Sequence, residues 1–233
     1  MKYIFIHIGK TAGTSFREFL HNNVQKHYFG YGKLYSLVDD RDTPKFLQLE
    51  KYGYQVFDYF DLFSEHFSYG LHPFLKTKDY QYITMLREPI ARIISLYNYS
   101  IDRDWISEDV NIIDWFMKQD NDFLGERKLK QIKHISGAPI DLPVDVQINL
   151  AVKNLKRDNM LFGIVEEYNE FIDLCCKINK WNPQYLQINT TKTSKEISEE
   201  DKNMLRIELA DEINFYNQAK EIYNDKYKDL IND

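Results

Sequence analysis

Long apolar runs are missing from this 233-residue chain. No stretch approaches the roughly 18 apolar residues that a membrane-crossing helix needs, and the mean hydropathy is -0.53. Cysteine is almost absent, with 2 residues that are neighbours in the chain, Cys175 and Cys176. Adjacent cysteines rarely pair, so a disulfide framework is excluded and both read as reduced thiols on a helix face. Proline is scarce, at 6 scattered residues. No Gly/Ser/Pro linker and no internal repeat divides the chain, which reads as a single domain over residues 1–233. An excess of positive charge is also lacking, since 30 Lys and Arg face 36 Asp and Glu. The net charge of -6 argues against a nucleic-acid partner, while a local basic cleft stays open. At the amino terminus only Ile4-Phe5-Ile6 is apolar before polar residues follow. That run is too short for a signal peptide, and the expected compartment is the reducing cytoplasm.

What is present is an ordinary globular composition, 43% apolar and 28% charged, which excludes a disordered or fibrous chain. Residues 3–8 read as a buried strand closed by Gly9. A helix is expected from Thr14 to about Val24. Weaker strand character lies at 54–60, and stronger character at Tyr80–Leu86 and Met160–Val165. Glu88-Pro89 reads as a helix start with proline at the first position, and Ile90, Ile93, Ile94 and Tyr97 follow a helical period. Further helices are expected at 110–118, 126–136, 144–156 and 167–177. Ser198 with Asp201 opens a last helix running to about Tyr223. Strands alternating with helices predict an α/β fold around a mainly parallel sheet.

The most informative segment is His7-Ile8-Gly9-Lys10-Thr11-Ala12-Gly13-Thr14-Ser15-Phe16. A strand ends, a glycine turn follows and a helix begins. The start of that helix offers unpaired backbone N–H groups and a positive dipole end. Gly9 and Gly13 allow close approach of a ligand, Lys10 adds a point charge, and Thr11, Thr14 and Ser15 add hydroxyls. This is the chemistry of an anion cradle. It is not a Walker A loop, because its lysine follows the first glycine rather than the second. A second element runs from Arg87 to Tyr97. Arg87 stands at a strand end, where α/β folds bind ligands, and Ser95 lies about two turns into the next helix. Together they can hold a second phosphate.

These two segments resemble the nucleotide-binding elements of the sulfotransferase superfamily. The nearest variant is that of the heparan sulfate O-sulfotransferases and their bacterial relatives (sulfotransferase family 2). Phe162-Gly163-Ile164-Val165-Glu166-Glu167-Tyr168 and Ser64-Glu65-His66-Phe67-Ser68-Tyr69-Gly70-Leu71-His72 resemble later segments of the same family. The resemblance implies a P-loop-like three-layer α/β sandwich. It also implies transfer of a sulfuryl group from 3′-phosphoadenosine-5′-phosphosulfate (PAPS) to an acceptor hydroxyl, with 3′-phosphoadenosine-5′-phosphate (PAP) as product and no metal. By that analogy Lys10 neutralises the leaving phosphate. Thr11, Ala12, Gly13, Thr14 and Ser15 hold the 5′-phosphate, and Arg87 and Ser95 hold the 3′-phosphate. Lys192, in the polar stretch 189–195, is a further candidate for the 3′-phosphate.

Removing the acceptor proton calls for a base near working pH, usually histidine. His66 is the leading candidate, with His72 and Glu65 as alternatives. His7 reads as a positioned structural residue, and His21, His27 and His134 as surface residues. The basic run Arg127-Lys128-Lys130-Lys133 reads as a solvated helix face, or else as a surface for an acidic glycan. The expected acceptor is a hydroxyl-bearing molecule, a glycan before a tyrosine, lipid or small metabolite. Two rival readings remain at this point: a P-loop-type small-molecule kinase, and a nucleotide-binding module without catalysis.

Overall fold

The computed structural model describes residues 1–24, 28–29, 60–118, 127–139, 141–188 and 192–232. Among the described residues five strands form one sheet: β1 (Lys2–Ile6), β2 (Tyr28–Phe29), β3 (Leu62–Glu65), β4 (Tyr80–Leu86) and β5 (Met160–Ile164). Their order is β2-β3-β1-β4-β5, and every neighbouring pair is parallel. Parallel strands are covered on both faces, which is why β1, β4 and β5 read as near-continuous apolar runs. The expected strand at 54–60 lies outside the described residues up to position 59, and Phe60 is irregular. The strand described in this part of the chain, β3, carries Ser64 and Glu65, both buried. Two polar residues in four hide a strand from a hydrophobic pattern, and their burial at its carboxyl end places polar groups beside the site.

The α-helices among the described residues are α1 (Gly13–Asn23), α2 (Pro89–Asp102), α3 (Ile112–Met117), α4 (Lys130–Ser136), α5 (Val144–Leu155), α6 (Tyr168–Asn179), α7 (Glu199–Glu208) and α8 (Ala210–Asn232). The register sets Phe5 beside Ile83 and Leu161 on one face of the sheet, and Ile6 beside Thr84 and Phe162 on the other. On the first face Phe5 packs on Phe16 of α1 at 5.2 Å between ring centroids, and Phe16 packs on Phe171 of α6 at 5.3 Å. On the second face Phe162 meets Tyr223 and Tyr227 of α8 at 6.0 and 5.8 Å. The expected three-layer α/β sandwich is therefore present. The expected last helix divides at Leu209 into α7, capped by the Ser198 hydroxyl as anticipated, and α8. A second apolar cluster joins α2, α3 and α7 through Ile93, Tyr97, Trp115 and Leu205.

Strand order positions the site. From β1 the chain passes to β2 and β3 on one side, while β4 and β5 lie on the other. The crevice at the carboxyl ends of β1 and β4 is thus a topological switch point, the place where open α/β sheets bind ligands. The layers close tightly around β5, where a Cβ on Gly163 would lie 2.3 Å from Phe171 Cδ1 and 2.8 Å from Met85 Sδ. Gly163→Ala should therefore cost about 1–3 kcal/mol of stability through overpacking. Denaturant unfolding measures it, and an unchanged midpoint would show that the layers have room.

Candidate active site

The loop between β1 and α1 bends through two left-handed residues that are not glycine, Lys10 (φ 66°) and Ala12 (φ 56°). Such residues carry a backbone cost and persist only where surrounding contacts hold them. One hold is the buried Thr11 hydroxyl, which donates to the Ile8 carbonyl at 2.9 Å. Thr11 thus spends its hydroxyl inside the loop rather than on a ligand. Gly13 is required by close approach, because a Cβ there would sit 2.0 Å from His7 Cδ2. The α1 ladder begins with Phe16 N–H to the Ala12 carbonyl at 3.1 Å, and no side chain caps the helix. The first-turn amides of an uncapped helix form an anion seat. Ser15 is engaged elsewhere: its hydroxyl donates to the Ile188 carbonyl at 3.3 Å and accepts from Ile188 N–H at 2.9 Å. That pair ties the segment before residue 189 to the start of α1.

Arg87 leaves β4 directly opposite. Its Nη1 donates to the Lys10 carbonyl at 3.2 Å. Its backbone is clamped by buried Gln131, which accepts from Arg87 N–H and donates to the Arg87 carbonyl, both at 2.9 Å. Glu88 caps α2 by accepting from Ile90 and Ala91 N–H, as the Glu88-Pro89 start foretells. Ser95 and Tyr99 are four residues apart on α2 and share a face. That face looks at the loop, since Lys10 Nζ lies 4.0 Å from the Tyr99 ring centroid. At the end of α2, Asp102 accepts from Lys192 N–H at 2.7 Å and from Thr193 N–H at 2.9 Å. The structure therefore brings Lys10, Arg87, Ser95 and the backbone of exposed Lys192 to one crevice. Burial, then the nearby Arg87 charge, lowers the Lys10 pKa to about 8. Burial likewise lowers that of Arg87.

The histidines separate clearly. The register sets Glu65 beside Ile6, so His66 follows β3 next to His7. The two rings stack at 4.5 Å, and His66 Nδ1 lies 2.6 Å from the His7 carbonyl. A carbonyl only accepts, so Nδ1 carries the hydrogen and Nε2 keeps the lone pair a base needs. His72 is in a different place. It contacts the Tyr82 hydroxyl at 3.0 Å and stacks on Tyr80 at the amino end of β4. That is the far end of a strand roughly 20 Å long from Arg87. Glu65 is buried on the face of the sheet shared with Ile6. His134, expected at the surface, is buried, and its Nδ1 donates to the Phe67 carbonyl at 2.7 Å. Burial holds the pKa of both His134 and His7 well below the usual histidine value. The basic run is not a solvated face either, because Arg127 and Lys130 are buried. Tyr99, Asp102 and Gln131 escaped the sequence reading. Helical spacing from Ser95 could have found Tyr99, whereas Gln131 lies in no motif.

Among the described residues no group of His, Cys, Asp and Glu is arranged to hold a metal ion. The fold and crevice define a P-loop-like α/β protein with a lysine-bearing loop at β1 and an arginine at β4. A sequence profile of the sulfotransferase family matches residues 1–217, and the chain belongs to that family. Its chemistry is sulfuryl transfer. A sulfotransferase from Alicyclobacillus acidocaldarius has a similar fold, with a TM-score of 0.55 at 15% identity over 92% of this chain and 94% of that one. No curated protein matches the chain by sequence.

The crevice depends on the contact between Gly13 and His7. In Gly13→Ala the new methyl group must displace the His7 ring, and with it the stacked His66 and the loop. We expect loss of anion binding by the variant, read by calorimetry with PAP, together with a lowered melting temperature. Wild-type affinity would show that the ring moves aside freely.

Proposed function

We propose that this sulfotransferase moves the sulfuryl group of PAPS to a hydroxyl of a carbohydrate acceptor and releases PAP. The observation that carries the reading is the convergence of Lys10, Arg87 and His66 on the carboxyl edge of the sheet, with Arg87 bonded to the loop that bears Lys10. Two phosphates of one nucleotide need two anion seats. The first turn of α1 supplies one, through backbone N–H groups between Thr11 and Ser15. Arg87 and the Ser95 face of α2 supply the other, with Lys192 close by. The cradle fits the group, since no side chain caps the first turn of α1.

In the reaction the acceptor oxygen bonds to sulfur as the bond from sulfur to the 5′-phosphate oxygen breaks. His66 Nε2 accepts the hydroxyl proton, and the Lys10 ammonium neutralises the charge gathering on the leaving phosphate. Positioning and charge stabilisation carry such a transfer. A sugar acceptor is supported by the histidine base and by the surface next to Tyr99. Trp105 packs edge-on to Tyr99 at 5.5 Å and is 52% exposed. It lines a cavity of about 360 Å³ with Ser107, Asp114 and Trp115. An exposed indole beside hydroxyl and carboxylate groups suits the C–H face and the polar rim of a sugar ring.

A labelled-donor transfer screen over glycans, peptides and small alcohols tests the reading, and label appearing only on peptides or lipids would overturn the sugar assignment. Arg87→Ala should weaken PAP binding by roughly 2–4 kcal/mol, as expected when a charge-assisted contact loses a partner. Adenosine 5′-phosphate, which lacks the 3′-phosphate, should bind the variant nearly as well as wild type. Equal losses for both ligands in calorimetry would make Arg87 structural. For the base, His66→Ala should cost about 10²–10⁴ in turnover while PAP affinity survives. Full turnover in that variant would remove His66 from the mechanism and leave Glu65 to be tried.

A further inference from the structure

Tyr99 stands one helical turn beyond Ser95, and no motif assigns it a role. Its ring nevertheless faces the most important cation of the site. Lys10 Nζ lies 4.0 Å from the ring centroid, and Arg103 Cζ lies 5.1 Å from the same centroid. Lys10 is therefore fixed at two points. Its carbonyl is held by Arg87 Nη1, and its ammonium group rests on Tyr99. Between them the backbone takes the left-handed conformation at φ 66°.

We propose that Tyr99 is a positioning residue for Lys10: its ring face seats the ammonium group over the crevice and keeps it charged before the donor arrives. The inference deepens the nucleotide reading of the crevice and rests on it. Electrostatics explain why a ring occupies this place. The charged groups facing Lys10 are Arg87 from the end of β4 and Asp102 and Arg103 from the end of α2. Burial and the two arginines push the lysine toward its neutral form, and the Asp102 carboxylate opposes them. A second carboxylate would restore the charge, yet it would also repel a donor carrying phosphates and sulfate. An aromatic face attracts a cation through its quadrupole and bears no net charge. It can hold the ammonium in the free enzyme and yield it to a phosphate oxygen, because a charge-assisted contact to an anion is the stronger of the two. Of the two anchors of Lys10, Arg87 opens the element read as binding the 3′-phosphate, and Tyr99 lies one helical turn beyond Ser95 on the same helix. Seating of the catalytic lysine is thereby built into the second phosphate site.

The sign of the pH effect follows. Removing the ring removes an interaction that favours the charged lysine, so Lys10 should lose its proton at lower pH. The test is an NMR titration of lysine-labelled free protein, combined with calorimetry of PAP binding. In the wild type Lys10 should titrate near pH 8. In Tyr99→Leu the midpoint should fall by about half to one and a half pH units, while Tyr99→Phe and Tyr99→Trp should keep the wild-type midpoint. PAP affinity of Tyr99→Leu should stay within about twofold of wild type at pH 6.5 and drop about three- to twenty-five-fold at pH 8.5. A merely structural tyrosine would lower affinity equally at both pH values. A folded Tyr99→Leu with the wild-type Lys10 midpoint overturns the seat, and melting curves confirm folding. If Tyr99→Leu does not fold, Tyr99→Phe decides: loss of the wild-type midpoint there overturns the ring-face account. A wild type that fails to bind PAP overturns the nucleotide reading instead, and the Lys10 titration still decides the seat.

Discussion

The hydrogen bond from the Arg87 guanidinium to the Lys10 carbonyl joins two strand ends that the chain reaches separately. Each side of that bond is stiffened by its own support. On the β1 side Thr11 ties the loop to Ile8, and His7 fills the space that Gly13 leaves empty. On the β4 side Gln131 grips both backbone groups of Arg87, and Gln131 N–H is itself held by Glu212 Oε1 at 3.0 Å. Glu212 is buried beside Arg92 at 3.8 Å. A buried charged residue with partners on α2 and α4 fixes orientation more than it adds stability. The crevice is thus a rigid joint between the first helix of one layer and the supports of the other.

Charge gives the joint its purpose. Lys10, Arg87 and Arg103 crowd one edge of a chain whose formal charge is -6. Like charges close together and partly desolvated raise the energy of the free protein. A polyanionic ligand relieves that repulsion, and anything that binds the folded state alone stabilises it. His7 and His134 stay neutral nearby, so they add no further positive charge to the cluster. His66 and His134 each commit Nδ1 to a backbone carbonyl, but His134 is buried whereas His66 is only partly buried.

Much of this was readable from the residues. Apolar runs at 3–8, Tyr80–Leu86 and Met160–Val165 announced strands that end at Ile6, Leu86 and Ile164, because a parallel sheet buries both faces. Glycine spacing around Lys10 announced the loop, and Glu88-Pro89 announced α2. What escaped detection depended on tertiary contact. β3 ends in Ser64 and Glu65, which become buried only when β1 pairs alongside. His134 and Lys130 look like surface residues on a short helix until α4 packs against α5 and α8 and bonds the segment after β3. The sequence puts His66 ahead of His72, and the fold separates them further: β4 carries His72 to its amino end, and β3 delivers His66 beside His7. Tyr99 was hidden because its partner lies 89 positions away across the switch point.

The account stands or falls on where a nucleotide binds. A crystal structure of the complex with PAP measures this directly. The 5′-phosphate should sit on the first turn of α1 with Lys10 Nζ beside it, and the 3′-phosphate should sit on Arg87. His66 Nε2 should then face the position of the missing sulfuryl group. A nucleotide bound away from the β1–β4 crevice, or held in it with Arg87 and Lys10 turned from both phosphates, would contradict the assignment.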